Sequence, residues 1–335
     1  MNTLPLGKLP PEFLEKILKK IPVYDNQVVI GPGTGLDCSV IDFGEQYLVL
    51  KADPISLTAE NIGWYAVEIN VNDIVTTGAI PKWMLVTLLL PENETTKEKV
   101  EIITDQLITS TSKYGITIIG GHTEITNGID RPILSATMIG TVDKEKLITP
   151  RGINIGDLIF LTKEAAIETI SILANDFSEK LSTILTKNEL KIAQAYLQNP
   201  GISIFTEANI LKEGFGVSGM HDPTEGGIAA ALWEMSIASN KKFKINPNDI
   251  PVSDLTMKIC SYFSINPLQT ISSGALLFTA NPYFKEKIIA HLAKNSIDVT
   301  EIGIVLSDGN GVIINDNNEF MSLERPERDE ITKIF

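Results

Sequence analysis

The strongest constraint on how this chain folds is an aspartate placed inside an apolar helical pattern. Residues 58–78 have the pattern of a helix, and the apolar segment WMLVTLLL that follows is predicted to be a buried strand. Asp73 lies in the helix, where an aspartate is costly to bury unless it is paired or binds a metal ion. The pair Asn72 and Asp73 is therefore the most informative in the sequence and supplies our candidate catalytic residues.

Strand and helix patterns alternate in both halves of the 335-residue chain. A chain of this length rarely folds around a single hydrophobic core, so it is predicted to form two domains. The sequence TPRGINIGD interrupts the alternation near residues 148–156. We expect one domain at 1–150 and a second domain at 151–335, with α/β and α+β architecture.

Composition excludes several classes of partner. The 42 acidic and 28 basic residues give a formal net charge of −14, which disfavours nucleic acid as a partner. We find no signal peptide and no apolar segment long enough to span a membrane, so we expect a cytoplasmic protein without a membrane partner. Cys38 and Cys260 fit no zinc-binding spacing and are predicted to be reduced thiols.

Further aspartates lie at the predicted ends of elements. Asp37 ends the loop GPGTGLD, whose Gly33 and Gly35 would let backbone N–H groups approach an anion. Asp53 is predicted to end the strand YLVLKA, and Asp222 precedes a helix in HDPTEGG. Carboxylate oxygens suit magnesium, although a helix cap or a surface turn is as good an interpretation of any single one. The candidate metal ligands are Asp37, Asp53, Asp73 and Asp222.

Two glycine pairs mark further candidate ligand-binding positions. A strand is predicted to end at Gly120-Gly121 and to lead into a loop with His122, Thr123 and Glu124. A tight turn with a surface histidine explains that segment equally well. Gly226 and Gly227 open the predicted helix 224–240, where they would expose its N-terminus to an anion or let the helix pack closely against a neighbour.

Five motifs together resemble one superfamily. They occur in the order seen in the aminoimidazole-ribonucleotide synthetase-like (PurM-like) superfamily and extend over roughly residues 28–315: GLDCSVIDF, LKADPIS, NIGWYAVEINVNDIVTTGAIP, IIGGHTE and HDPTEGGIAAALWE. The chain looks closest to the hydrogenase-maturation branch, HypE. The resemblance implies a PurM-like N-terminal domain that forms a β-barrel across a homodimer, a PurM-like C-terminal domain, and ATP bound between the domains.

The resemblance also implies roles and chemistry. The four aspartates would handle magnesium and phosphates, and the segment from Gly120 would lie near the nucleotide. With Mg²⁺ and ATP as cofactors, the expected reaction is ATP-dependent phosphorylation or dehydration of an oxygen-bearing small molecule or protein, in hydrogenase or other metalloenzyme maturation. A small-molecule kinase of the thiamine-monophosphate kinase type and a non-catalytic nucleotide-binding maturation partner are the alternatives.

Three departures from the HypE pattern bear on that expectation. HypE carries a cysteine in a C-terminal Pro-Arg-x-Cys tail, whereas this sequence ends in ERDEITKIF, so chemistry on that cysteine is not expected. Glu225 stands where HypE proteins often have an arginine, which is unfavourable for a phosphate. Leu36 stands where many relatives have an acidic residue, so one metal ligand is expected to be missing.

Overall fold

The computed structural model describes residues 4, 7–56, 60–316 and 319–335. Within this part of the chain, two compact units can be distinguished. The N-terminal unit comprises Val23–Gly31 and Asp37–Leu147, and the C-terminal unit comprises Met1–Pro22, Pro32–Leu36 and Ile148–Phe335. Each unit combines a mixed sheet with helices, so the predicted two-domain α/β architecture is confirmed. The segments 1–22 and 32–36 belong to the C-terminal unit, although the sequence assigned them to the first domain.

The N-terminal unit is built on one sheet covered by two helices. Helix α1 (Pro11–Leu18) precedes it in the chain and belongs to the C-terminal unit. The elements that follow α1 are β1 (Val28–Ile30), β2 (Ser39–Phe43), β3 (Gln46–Ile55), α2 (Ile62–Thr76), β4 (Ile80–Pro91), α3 (Lys97–Tyr114), β5 (Thr117–Thr126) and β6 (Ile133–Asp143). The described strands have the order β1-β2-β3-β6-β4-β5, with β4 and β5 parallel and the other neighbours antiparallel.

Helix α2 is the central helix of this unit. It is buried along almost its whole length and packs against β3, β6 and α3. A Cβ atom at Gly63 would come within 2.6 Å of the backbone oxygen of Ile103 in α3, so only glycine permits this close approach. The predicted start of the helix at residue 58 lies outside the described residues, and α2 begins at Ile62.

Helix α3 has a threonine cap at its start and a glycine cap at its end. Its N-cap is Thr96, whose hydroxyl oxygen accepts the N–H of Lys99 at 3.3 Å, and its C-cap is Gly115 with φ +67°. The two caps satisfy backbone groups that the ends of the helix would otherwise leave unpaired.

The C-terminal unit contains a larger mixed sheet. Its further elements are β7 (Leu158–Thr162), α4 (Ile167–Asp176), α5 (Ser178–Leu181), α6 (Lys187–Gln194), α7 (Phe205–Leu211), β8 (Val217–His221), α8 (Gly227–Ser239), β9 (Lys241–Ile245), α9 (Asp254–Phe263), β10 (Leu277–Ala280), α10 (Lys285–Lys294), β11 (Val299–Asp308), β12 (Val312–Asp316) and β13 (Glu319–Ser322). The described strands have the order β13-β12-β9-β11-β7-β10-β8, and β9 and β12 are parallel. The buried rings of Phe160 and Phe278 stack between neighbouring strands in its core.

Two predicted strand ends lie further along the chain than the sequence indicated. Strand β3 continues to Ile55, so Asp53 lies within it and not at its end. Strand β5 continues to Thr126, so the segment from Gly120 to Glu124 is part of a strand and not a loop. In both cases a neighbouring strand satisfies the backbone N–H and C=O groups past the predicted end: β6 pairs with β3 through Ile55, and β4 pairs with β5 through Thr126.

None of the described helices is long and apolar enough to cross a membrane.

Candidate functional site

The N-terminal unit brings charged side chains from β3 and α2 together on one face of its sheet. Lys51 and Asp53 alternate with exposed Ala52 along β3, so both side chains lie on the face that α2 covers. The Lys51 Nζ atom is 3.0 Å from Asp73 Oδ1 and 3.4 Å from Asp53 Oδ2. Since Asp73 is almost fully buried in α2, this ion pair explains how the helix accommodates its aspartate.

Asp37 belongs to the same electrostatic cluster. Burial alone would lower the pKa of Lys51, but the carboxylates of Asp73, Asp37 and Asp53 hold that pKa well above its ordinary value. The lysine is therefore protonated at neutral pH, and the four groups together carry a net negative charge. Three of the four predicted metal ligands thus lie around one lysine that the sequence reasoning did not single out.

The backbone around these carboxylates is held by small buried groups. The Cys38 thiol donates to the backbone oxygen of Asp73 at 3.4 Å, and the Thr76 hydroxyl donates to the same oxygen at 2.6 Å. Asn72 is fully buried beside Asp73 in α2. Cys38 and Cys260 are both free thiols, as predicted, and burial raises the pKa of Cys260 to about 12. The Cys260 thiol is therefore not set up as a nucleophile.

Asp222, the fourth predicted metal ligand, lies in the C-terminal unit. It directly follows β8 and is buried, with 1% of its surface exposed. Its neighbour His221 is also buried, and His221 Nε2 lies 3.1 Å from Glu234 Oε2 in α8. Arg325 donates to the other oxygen of Glu234 at 3.2 Å. Glu234 therefore contacts both Arg325 and His221, the chain neighbour of Asp222.

The N-terminus of α8 is already in contact with a carboxylate. The N–H of Gly226 donates to Asp329 Oδ2 at 2.6 Å, and Asp329 Oδ1 accepts the Thr270 hydroxyl at 3.0 Å. A Cβ atom at Gly227 would lie 2.5 Å from the backbone oxygen of Thr270, so close packing accounts for this glycine. Of the two alternatives that the sequence left open here, an external anion or close packing, close packing accounts for Gly227, and Asp329 was not identified from the sequence.

Glu225, the departure noted in the sequence, is balanced by a lysine. Lys8 Nζ lies 2.8 Å from Glu225 Oε2 and 3.1 Å from the hydroxyl of Thr224. Burial would raise the pKa of Glu225, but the Lys8 ammonium brings it below its ordinary value. The acidic group therefore stays ionised and paired.

The remaining predicted positions lie on β5 and in the glycine-rich loop. His122, Thr123 and Glu124 are exposed on β5, and His122 Nε2 is 3.0 Å from Glu124 Oε2. Gly35 has φ +72°, and a Cβ atom there would lie 2.5 Å from the backbone oxygen of Glu234 in α8. A Cβ atom at Gly33 would lie 2.8 Å from a methyl group of Leu36. Packing within the C-terminal unit thus explains the conformation of this loop.

Comparison with known proteins places these features in a family. The family model for the AIR synthase related protein, N-terminal domain, matches residues 35–142, and the model for the C-terminal domain of the same family matches residues 154–315. The chain belongs to the AIR synthase-related family. This confirms the superfamily that the sequence motifs indicated.

The relatives of this AIR synthase-related protein include a hydrogenase expression/formation protein and a thiamine-monophosphate kinase. A Methanocaldococcus jannaschii protein provisionally named for hydrogenase expression and formation is 28% identical over 317 residues, covering 92% of this chain and 91% of the relative. Thiamine-monophosphate kinase of the same organism is 27% identical, covering 91% and 95%. A crystal structure of HypE in complex with ATP has a TM-score of 0.71 at 19% identity, covering 93% and 90% of the two chains. The similarity to this HypE structure establishes the fold of the chain.

One further acid of this AIR synthase-related protein escaped the sequence reasoning. Glu168 is buried in α4, and burial raises its pKa to about 7, with Glu225 and Asp329 adding to the shift against a hydrogen bond from Ser273. Its sequence context, KEAAIETI, gives no charge or glycine pattern that signals a buried acid.

Glu168→Gln is expected to change how stability depends on pH. Because the folded state holds the Glu168 proton up to about pH 7 while the unfolded chain releases it near pH 4.5, the wild-type free energy of unfolding falls as pH rises through that window. The amide should remove this loss, so the variant should be more stable than wild type by up to about 3 kcal/mol at pH 8 and nearly equal to it at pH 4.5. Urea unfolding at both pH values measures the difference, with exposed Glu145→Gln as the control. A difference independent of pH would contradict the assignment.

Proposed function

We propose that this chain binds Mg²⁺-ATP through the acidic cluster of its N-terminal unit and uses it to activate an oxygen atom of a substrate. The observation that carries the proposal is the convergence of Asp37, Asp53 and Asp73 around Lys51. Membership of a family whose relatives include HypE and a kinase supports the same assignment.

The donor set suits the metal. Carboxylate oxygens are the ligands that Mg²⁺ prefers, and this cluster retains a net negative charge after Lys51 is counted. Asp37, Asp53 and Asp73 would hold the ion. Bound magnesium would neutralise phosphate charge during transfer. Asn72, buried next to Asp73, would position that carboxylate.

The reaction we favour is phosphorylation or dehydration of an oxygen-bearing substrate, as in the HypE branch, in hydrogenase or other metalloenzyme maturation. Relatives named carbamoyl dehydratase HypE support this choice, among them one from Rhizobium leguminosarum bv. viciae. Kinase activity on a small molecule is the second candidate, supported by the similarity to thiamine-monophosphate kinase along 95% of that enzyme. Mass spectrometry separates them, because a kinase leaves a phosphorylated product and a dehydratase leaves a product that has lost water.

We further propose that the chain acts as a homodimer joined along β5. This strand is at the edge of the sheet formed by the described strands and exposes Ile118, Ile119 and Ile125. An exposed apolar edge strand favours pairing with another chain. Sedimentation equilibrium should give twice the mass of 36.7 kDa, and Ile119→Lys should shift the protein towards the monomer. A wild-type chain that sediments as a monomer at micromolar concentration contradicts the dimer.

Asp73→Asn is expected to weaken Mg²⁺-dependent ATP binding at least tenfold. The amide keeps the size of the side chain but removes one of the negative charges that would hold the metal. Isothermal titration of ATP with and without Mg²⁺ measures the change, and Asp130→Asn, at a highly exposed position, is the control. Equal Mg²⁺-ATP affinity in wild type and Asp73→Asn would exclude the cluster as the metal site. Absence of ATP binding to the wild type would exclude the proposed function itself.

A further inference from the structure

The ammonium group of Lys51 lies at the position that a metal cation would take in the acidic cluster. This group lies between one oxygen of Asp53 and one oxygen of Asp73, at 3.4 and 3.0 Å, and the side chain is 15% exposed. The strand fixes this arrangement, since Lys51 and Asp53 are two residues apart on the same face of β3. The lysine is therefore part of the framework of the cluster and not a mobile surface group.

The charges of the groups around Lys51 determine its electrostatic role in the cluster. The groups that act electrostatically on Lys51 are Asp37, Asp53, Asp73 and Cys38. With the lysine in place, the three carboxylates and the ammonium carry a net charge of about −2, which a single divalent ion neutralises. Without it, the carboxylates of Asp53 and Asp73 would repel each other, and either a shared proton or a bound metal ion would relieve that repulsion.

We propose that Lys51 is a built-in cation that replaces one divalent metal ion between Asp53 and Asp73. The nucleotide-free chain accordingly has no tight divalent-cation site at this pair of carboxylates. The consequence for nucleotide binding rests on the proposed function: ATP would then bind with one metal ion fewer than it would without the lysine. Lys51 is in this sense a positioning residue for the metal and the phosphates.

Manganese binding to the nucleotide-free full-length chain tests this directly. Mn²⁺ serves as a paramagnetic probe of carboxylate sites, and electron paramagnetic resonance counts the ions bound per chain. Lys51→Met should gain one Mn²⁺ site that binds at least tenfold more tightly than any Mn²⁺ binding at this pair in wild type, whereas Lys51→Arg, which keeps the charge, should resemble wild type. The double variant Lys51→Met/Asp53→Asn should lose the gained site.

Thermal unfolding gives a second readout that keeps the test valid if a variant is destabilised. Mn²⁺ should raise the melting temperature of Lys51→Met and leave that of wild type nearly unchanged, because only the variant binds the ion at this pair in its folded state. Lys51→Gln, which preserves polarity without charge, should behave like Lys51→Met and replaces it if the methionine variant does not fold.

Two results would overturn the proposal. One is tight Mn²⁺ binding at Asp53 and Asp73 in wild type, and the other is a folded Lys51→Met or Lys51→Gln that gains no site. Neither result depends on ATP, so a failure of the proposed nucleotide binding is distinguished from a failure of the built-in cation.

Discussion

Lys163→Met is expected to lower the free energy of unfolding by about 3–5 kcal/mol, because it leaves a buried carboxylate without its counter-ion. Lys163 Nζ lies 2.7 Å from Glu207 Oε1, and the Glu207 side chain is 2% exposed. The same ammonium donates to the backbone oxygens of Gly201, Ser203 and Gly274 at 3.2, 2.7 and 2.9 Å. The Lys163 ammonium group therefore joins the end of β7 to residues 201–207 and to Gly274 of the C-terminal unit.

The loss of stability expected for Lys163→Met can be compared with the loss from breaking an exposed ion pair. Lys258 Nζ lies 3.0 Å from Glu189 Oε1, but both side chains are at least one-third exposed, so Lys258→Met should cost less than about 1 kcal/mol. The double variant Lys163→Met/Glu207→Gln should recover part of the loss, since it also removes the buried charge. Urea unfolding measures all three. Equal costs at Lys163 and Lys258 would show that burial does not strengthen the first pair.

Lys163 also lines a cavity of about 820 Å³ in the C-terminal unit. Its lining is polar and includes Glu164 and Asp298. Glu164 Oε2 accepts the N–H of Ser253 at 2.8 Å. The Lys163→Met substitution should therefore increase local unfolding around the cavity as well as lower the stability of the fold. Increased hydrogen exchange at residues 199–207 would reveal the local unfolding.

Gly121→Ala is expected to destabilise the chain by about 3 kcal/mol or more. A Cβ atom at this position would overlap the backbone oxygen of Val86 on the paired strand β4, and φ is +156°. Neither backbone can move aside without breaking the β4–β5 ladder, so the expected result is a lower melting temperature or loss of the exposed edge strand.

Gly120→Ala is the matched control, because it changes the neighbouring glycine with φ +157°. The nearest atom to a Cβ there is a methyl group of Leu85 at 3.4 Å, which is ordinary contact. This variant carries the backbone strain without the overlap and should lose about 1 kcal/mol. Chemical unfolding of both variants separates the two causes, and equal losses would rule out the contact with Val86 as the reason for glycine at position 121.

The sequence was most informative where one residue conflicted with its surroundings. Asp73 stood out because an aspartate in an apolar helix needs a partner, and the structure supplies Lys51 on β3. The helices and most strands were predictable, since their apolar periodicity follows from packing against a core. Lys51 itself was detectable in principle, because it lies two residues before Asp53 in a strand where alternate residues share a face.

Features that depend on distant partners were beyond the reach of sequence patterns. The extension of β5 through Thr126 requires pairing with β4, and its glycines resemble a loop when that partner is unknown. Asp329 reaches the start of α8 from 103 residues along the chain, so nothing near Gly226 signals its presence. The pKa of Glu168 is raised mainly by burial, a property that the local sequence does not encode.

The assignment of residues 32–36 to the C-terminal unit affects how the protein can be dissected. The chain passes from one unit to the other after Pro22, Gly31, Leu36 and Leu147. A fragment cut at residue 147 would therefore carry Gly35 without α8, the helix whose backbone it contacts. Two halves expressed separately would each lack native packing, and their recovery after co-expression would require residues 1–22 and 32–36 of the first fragment to pack into the second.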